Sequence, residues 1–246
     1  MKILSVKKVV LNICVASALL VGSIENSYAF MARFSIEQGT PINAISQAGQ
    51  VSKVKVGKND CGARNGFDDC KNNRERAELT SVDDKMSLSN QPANGFTYRA
   101  KIFFPKDFTA PKGGMGITVY QLKVPGSHPA MDLFLRNSGD LRVKMDHSFK
   151  LGTWDKSQSA SREPVIIPAA SLRGKWQDIQ IKAFWSDDHR GRLSIFVNGR
   201  RVFSYNGPNL LRGNSIYVKH GIYRWDVSKD PNRGATTVMF KDVSVS

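Results

Sequence analysis

The chain has 246 residues, of which 36 are Lys or Arg and 21 are Asp or Glu, a formal net charge of +15 at pH 7. This length suits one large domain, a size that all-β sandwiches often reach. The basic excess points to a polyanionic partner: nucleic acid, an acidic polysaccharide or a membrane surface. With no polybasic tail and no recognisable nucleic-acid module, nucleic acid is set aside.

At the N-terminus, Lys2, Lys7 and Lys8 precede an apolar run over residues 9–21. Ser27-Tyr28-Ala29 then supplies the small-x-small pattern of a signal-peptidase site. Residues 1–29 therefore read as a signal peptide cleaved after Ala29, with the protein expected in the periplasm or outside the cell. The run is too short to span a membrane, and no later stretch is long and apolar enough to do so. Cleavage removes Lys2, Lys7, Lys8 and Glu25 and leaves 217 residues with 33 basic and 20 acidic side chains. For an exported protein, an anionic polysaccharide is the expected polyanion, with no membrane or nucleic-acid partner. Residues 30–50 read as an irregular lead-in and residues 51–246 as one domain. Cys14 leaves with the signal. In an oxidising compartment Cys61 and Cys70 are expected to pair, closing a short loop and contributing roughly 2–3 kcal/mol. A metal site on these cysteines lacks a nearby histidine partner.

Strand patterns dominate the rest of the chain. Residues 96–104 are rich in aromatic and β-branched types and stop at Pro105; residues 116–124 form a second such run, stopped by Pro125-Gly126. Residues 131–136 lead through Asn137-Ser138-Gly139-Asp140 into the alternating residues 141–145, a hairpin pattern. Residues 179–183 alternate as well. Residues 193–197 meet residues 201–203 through Asn198-Gly199, with Arg200 completing the loop; Asn-Gly favours positive φ, which makes this the strongest hairpin signal. A last strand is expected near residues 236–245. No long segment keeps an apolar period of 3.6, and residues 169–172 offer at most a helical turn. The expected fold is all-β: a two-sheet antiparallel sandwich of the jelly-roll, concanavalin A-like kind, with a concave groove.

Three segments spend one strand face on polar groups. In Tyr217-Val218-Lys219-His220-Gly221-Ile222-Tyr223, strand alternation puts Tyr217, Lys219 and Tyr223 on one side and Val218, His220 and Ile222 on the other. Arg76 and Glu78 share a face in Arg76-Ala77-Glu78-Leu79, as do Gln121 and Lys123 in Val119-Tyr120-Gln121-Leu122-Lys123. If these strands are neighbours, their polar faces form one positively charged groove.

The ordered set Arg-x-Glu-Leu, Gln-x-(basic) and Tyr-x-Lys-x-Gly-x-Tyr resembles the β-jelly-roll polysaccharide lyases, which include alginate lyases, glucuronan lyases and heparin lyase I relatives. The stretch Gly191–Gly199, followed by Gly207-Pro208-Asn209, is also similar, so the resemblance covers roughly residues 70–245. It implies β-elimination on a uronic-acid polymer. Arg76 and Gln121 match positions that neutralise the uronate carboxylate, and Tyr223 matches the catalytic tyrosine. Lys219 would hold substrate charge and favour the phenolate. Lys123, Tyr217 and Glu78 complete the substrate-binding set, with Glu78 holding Arg76 in place. No cofactor is implied; a structural calcium occurs in some relatives, but no acidic loop here demands one. A monomer is expected.

The chain departs from the alginate-type pattern at two positions. Lys123 stands where those members usually carry His, and Thr80 stands where a second Arg is usual. A lysine is a poor base unless its pKa is strongly depressed. Tyr223 then performs both proton transfers, or His128 supplies the base, or the site keeps binding alone. A lectin-like carbohydrate-binding module is the rival reading. A glycoside hydrolase needs paired carboxylates, and no Glu-x-Asp run of that kind occurs. His220 reads as a buried core histidine, His147 and His189 as solvent-facing, and Trp154, Trp176, Trp185 and Trp225 as core packing.

Overall fold

The structure, a computed structural model, describes residues 34–41, 43–64, 66–82, 86–145 and 163–246. The expected signal peptide, His147 and Trp154 lie outside the described residues. In chain order the strands are β1 (Phe34–Ile36), β2 (Ile45–Ala48), β3 (Val51–Val56), β4 (Ala63–Arg64), β5 (Phe67–Asp68), β6 (Arg74–Ser81), β7 (Met86–Ser87), β8 (Phe96–Phe103) and β9 (Gly116–Lys123). There follow β10 (Pro129–Leu135), β11 (Leu141–Met145), β12 (Val165–Ile167), β13 (Trp176–Phe184), β14 (Arg192–Val197), β15 (Arg200–Asn206), β16 (Ser215–Trp225) and β17 (Thr236–Val245).

These strands form two antiparallel sheets. The first has the order β1-β6-β16-β9-β10-β11-β12, with β7 also paired to β16; the second has the order β15-β14-β13-β8-β17-β3-β2. The small β4–β5 ladder stands apart. Period-two burial explains why the sheets stack. In β8, Phe96, Tyr98, Ala100 and Ile102 are buried while Arg99 is exposed. In β16, Val218, His220 and Ile222 are buried on the core side, as the alternation predicts. His220 bridges the layers, its ring 4.7 Å from that of Phe34 and 5.1 Å from that of Phe240. Burial there pushes its pKa down to about 3, against a small opposing pull from Glu78, so it stays neutral.

Two expectations need correction. The lead-in is not simply irregular: β1 pairs with β6 and β2 pairs with β3, so each sheet gains an edge strand from it. Arg200 is not part of a loop. It pairs with Val197, leaving Asn198 (φ 49°) and Gly199 (φ 80°) as a two-residue turn. Of the tryptophans read as core packing, Trp185 is in the core, its Nε1–H donating to the Tyr98 hydroxyl at 2.8 Å, whereas Trp176 and Trp225 are half-buried, because they fall on the outward-facing positions of β13 and β16. The predicted hairpin of β10 and β11, the last strand and the helical turn Ala169–Leu172 are all present.

Candidate active site

The outer face of the first sheet holds a cleft of about 1210 Å³. Strand β16 forms its axis, with β6 on one side and β9 on the other. The register sets Tyr223 opposite Arg76 on β6 and Thr118 on β9; Lys219 lies opposite Gln121, and Tyr217 opposite Lys123. Arg76, Gln121, Lys123, His128, Tyr217, Lys219 and Tyr223 all line the cleft. Glu78 lies buried under its floor.

Two backbone features produce this arrangement. Gly221 sits opposite Glu78 with φ 146°, and a Cβ there would stand 2.3 Å from the Ala77 carbonyl oxygen. Only glycine lets β16 lie this close to β6. On the other side the β16–β9 register shifts between His220 and Tyr223, and the β9–β10 register shifts between Leu133 and Phe134. This irregularity turns both Thr118 and Gln121 toward the cleft, although strict alternation would put them on opposite faces.

Below the surface runs a chain of ion pairs. Arg76 donates from Nε and Nη2 to the two Asp69 carboxylate oxygens, each at 2.6 Å, and its Nη1 is 3.6 Å from Glu78 Oε2. Lys219 Nζ lies 2.6 Å from Glu78 Oε2 and 2.7 Å from Glu37 Oε2. Gln121 Nε2–H donates to Glu78 Oε1 at 2.6 Å. Glu78 therefore joins the Arg76, Gln121 and Lys219 side chains in one cluster. Burial alone would raise the Glu78 pKa, but Lys219 and Arg76, with the hydrogen bonds from Lys219 and Gln121, hold it below the usual carboxylate value. Burial also opposes the charge on Lys219, and Glu78 and Glu37 overcome it, so the ammonium is held above the usual lysine value. Arg76 behaves alike: burial is outweighed by Asp69 and Glu78.

The Tyr223 ring meets two cations. The Arg76 guanidinium is 4.5 Å from its centroid and that of Arg74 is 5.8 Å away. Burial raises the Tyr223 pKa, Arg74 and then Arg76 pull it down, and Asp69 and Glu78 push it up; the net direction is upward. The phenol is therefore held protonated at neutral pH. The sequence reading gave Lys219 the task of favouring the phenolate. The cations over the ring are instead Arg74 and Arg76, while Lys219 is occupied by two carboxylates.

Several cleft residues escaped the sequence reading. Arg74 stacks over Phe67 at 5.4 Å as well as over Tyr223, and no acidic partner faces it among the described residues. It lies two residues before Arg76, so alternation along β6 could have found it. Trp225, expected in the core, lies two residues past Tyr223 on β16 and lines the cleft, with the Arg136 guanidinium 4.8 Å from its ring. Asp69, from the disulfide loop, and Glu37, from the lead-in, had no periodic signal. The disulfide Cys61–Cys70 is present, with Cα atoms 5.3 Å apart, and it anchors the residue next to Asp69. Lys123 donates from Nζ to the Ser127 carbonyl, and His128 stands exposed at the rim in the turn between β9 and β10.

The charge count of the cleft differs from the expectation of a positive groove. Among the described lining residues, Arg74, Arg76, Lys123, Arg136, Lys144 and Lys219 are opposed by Glu37, Asp69, Asp132, Glu163 and Asp226, with Glu78 beneath. The cleft is close to neutral. Among the described residues, no group of three or more His, Cys, Asp or Glu side chains could hold a metal ion.

Comparison with known proteins agrees with this architecture. The chain is similar in structure to an endo-β-1,4-glucuronan lyase from the fungus Trichoderma reesei, with a TM-score of 0.56 at 14% identity over 90% of this chain and 92% of that one. It is also similar to the alginate lyase AlgAT5 of polysaccharide lyase family 7 (TM-score 0.58, 12% identity, 87% and 94% covered) and to the alginate lyase from Klebsiella pneumoniae (0.53, 13%, 82% and 83%). At these identities the likeness carries the fold alone. No curated protein matches the sequence. The sequence model for the polysaccharide lyases matches residues 30–243, nearly the whole described chain, and on that match this protein belongs to the polysaccharide lyase family.

Proposed function

We propose that this protein cleaves a uronate-containing polysaccharide by β-elimination in the cleft along β16. The observation that carries this reading is the meeting of two guanidiniums, a carboxamide and a phenol across three adjacent strands. The substrate carboxylate lies against Arg76, Gln121 and Arg74, whose guanidinium faces no acidic partner among the described residues. Their positive charge and hydrogen bonds stabilise the negative charge that builds on the carboxylate as the C5 proton leaves. The C5–H electron pair forms the C4=C5 double bond, the C4–O4 bond breaks, and the departing O4 takes a proton. Tyr223 gives that proton, and its raised pKa suits the acid role. Tyr223 also takes the C5 proton when it is a phenolate, a form that Arg74 and Arg76 favour. His128 is the second candidate for the base, because its imidazole stands at the rim of the same cleft.

Tyr217 and Lys123 complete the substrate contacts, while the expected contact from Lys219 gives way to its two buried carboxylates, with Glu78 as the hub that orients Arg76, Gln121 and Lys219. The glucuronan and alginate lyases of similar fold make polyuronates the first substrates to test. Export by the N-terminal segment, a periplasmic or extracellular location, action as a monomer and independence of any cofactor belong to the same proposal. The test is to incubate purified protein with alginate, glucuronan and glycosaminoglycans and to follow the ultraviolet absorbance of unsaturated uronate ends. At least one polymer should yield them. Binding without product on every polymer would favour the lectin-like reading and end this one.

A further inference from the structure

The positive charge of this chain has to sit somewhere other than the near-neutral cleft. Much of it lies on the opposite side of the sandwich. The outward face of the second sheet carries Lys53, Arg99, Lys101, Lys182, Arg192 and Lys241. The only acidic residues on the strands of this sheet are Asp178 and Asp242, and Asp242 is paired with Lys101 at 2.8 Å. The cations are neighbours across the ladders: Lys241 is opposite Lys101, and Arg192 is opposite Phe184 in the row next to Lys182. Strands lie about 4.8 Å apart and same-face residues about 6.8 Å apart along a strand, so positive charge recurs at short intervals in two directions.

Aromatic rings are interleaved with these cations. Lys241 Nζ is 4.6 Å from the Trp176 ring, Lys182 Nζ is 5.6 Å from Phe196, and the Arg192 guanidinium is 5.5 Å from Phe184. Trp176 and Phe103 sit ring to ring at 5.4 Å. A saccharide offers apolar C–H faces that stack on such rings, and a uronate adds one carboxylate per sugar for the neighbouring cations. A membrane surface is a poorer fit. The exposed large apolar residues of the described chain are Ile36, Phe67, Val82 and Val165, and none of them lies on this sheet.

We propose that the outer face of the second sheet is a second binding surface for anionic polysaccharide, remote from the cleft, which holds the polymer and does not cut it. The choice of polymer rests on the proposed function, but the binding is independent of the chemistry. The electrostatic attraction of the protein for long chains then resides here, and the cleft engages a few sugars at a time.

The test uses the full chain carrying Tyr223→Phe, so that binding is read without turnover. Into it go Lys182→Ser, Arg192→Ser and Lys241→Ser together, and separately Lys53→Ser with Arg99→Ser. Lys53, Arg99, Lys182 and Arg192 are exposed and Lys241 is half-buried over Trp176, and thermal unfolding checks that each variant stays folded. Affinity for long polymannuronate and for its trisaccharide is measured at low and physiological salt. The triple variant should bind the polymer on the order of 10-fold more weakly with a shallower salt dependence, and the trisaccharide unchanged. The double variant should show a smaller loss in the same direction. Polymer affinity equal to the parent in both variants would overturn the proposal, as would an equal loss for polymer and trisaccharide. Tighter binding to phosphatidylglycerol vesicles or duplex DNA than to the polymer, lost in the triple variant, would also overturn it. If the protein with Tyr223 intact makes no unsaturated ends from any polymer while this binding persists, the elimination chemistry fails and the surface stands.

Discussion

Lys219 is the place where the buried ion network can be broken most cleanly. Its side chain is 2% exposed, and its ammonium is the direct partner of both Glu37 and Glu78, themselves 4% and 2% exposed. Lys219→Met removes the charge and nearly keeps the volume. Both buried carboxylates then lose their ammonium, and Glu78 keeps the Arg76 guanidinium at 3.6 Å and the Gln121 amide at 2.6 Å. Removing one partner of a buried pair costs about 3–5 kcal/mol. For a chain of this size that lowers Tm by about 6–20 °C. The pH dependence carries a sign. The Glu78 pKa is depressed in the folded state, so its contribution is present above the ordinary carboxylate pKa and is lost as pH falls through the folded value. The Lys219 pKa is raised, so its contribution is present below the ordinary lysine pKa and is lost as pH rises through the folded value. In Lys219→Met the Glu78 carboxylate, without its main cation, is relieved by protonation. The deficit relative to the parent should therefore be largest near neutrality and shrink under mildly acidic conditions. Thermal and urea unfolding followed by circular dichroism at the two pH values gives both numbers. A loss below about 1 kcal/mol, or one that does not change with pH, would show that Lys219 does not hold the charge of Glu78 in the folded protein.

Three further outcomes follow from the same geometry. Gly221→Ala places a methyl 2.3 Å from the Ala77 carbonyl oxygen and 2.7 Å from Glu78 Cα at a φ that suits glycine; it should cost about 2–3 kcal/mol in urea unfolding and reduce turnover together with stability. Cys61→Ser with Cys70→Ser should lower stability by about 2–3 kcal/mol and, by loosening Asp69, lower the turnover number more than it raises KM. Arg74→Gln removes the leading cation that pulls the Tyr223 pKa down, so the rise of activity with pH should move to higher pH, with kcat/KM for a polyuronate falling on the order of 10- to 100-fold. An unchanged pH profile would show that Arg74 does not act on Tyr223.

Local patterns in the sequence were legible wherever one residue sets its neighbours. Asn198-Gly199 specifies its own turn, and strand alternation put Tyr217, Lys219 and Tyr223 on the cleft side of β16 and His220 in the core. The adjacency of β6, β16 and β9 is a different matter. Their pairing joins residues 94 or more positions apart, and only the likeness to the polysaccharide lyases suggested it. Partners that arrive from loops were illegible for the same reason. Asp69 and Glu37 have no period, yet they decide which cations in the site are already paired. The turn of Thr118 toward the cleft breaks the alternation that sequence reading relies on. Net charge left three classes of polyanion open, of which the family match supports a polysaccharide, and it could not say which face carries the charge. That depends on which strands share a sheet, and Lys182 and Lys241 turned out to lie on the sheet opposite the cleft.

Whether the cleft eliminates decides the function of this protein. The most direct measurement is digestion of a polyuronate in heavy-oxygen water, with the product ends read by mass spectrometry and repeated with Tyr223→Phe. Elimination predicts one unsaturated end for each cut, no label taken up from solvent, and no product from the phenylalanine variant despite near-normal binding. Saturated ends carrying one heavy oxygen for each cut, or full activity in Tyr223→Phe, would contradict it.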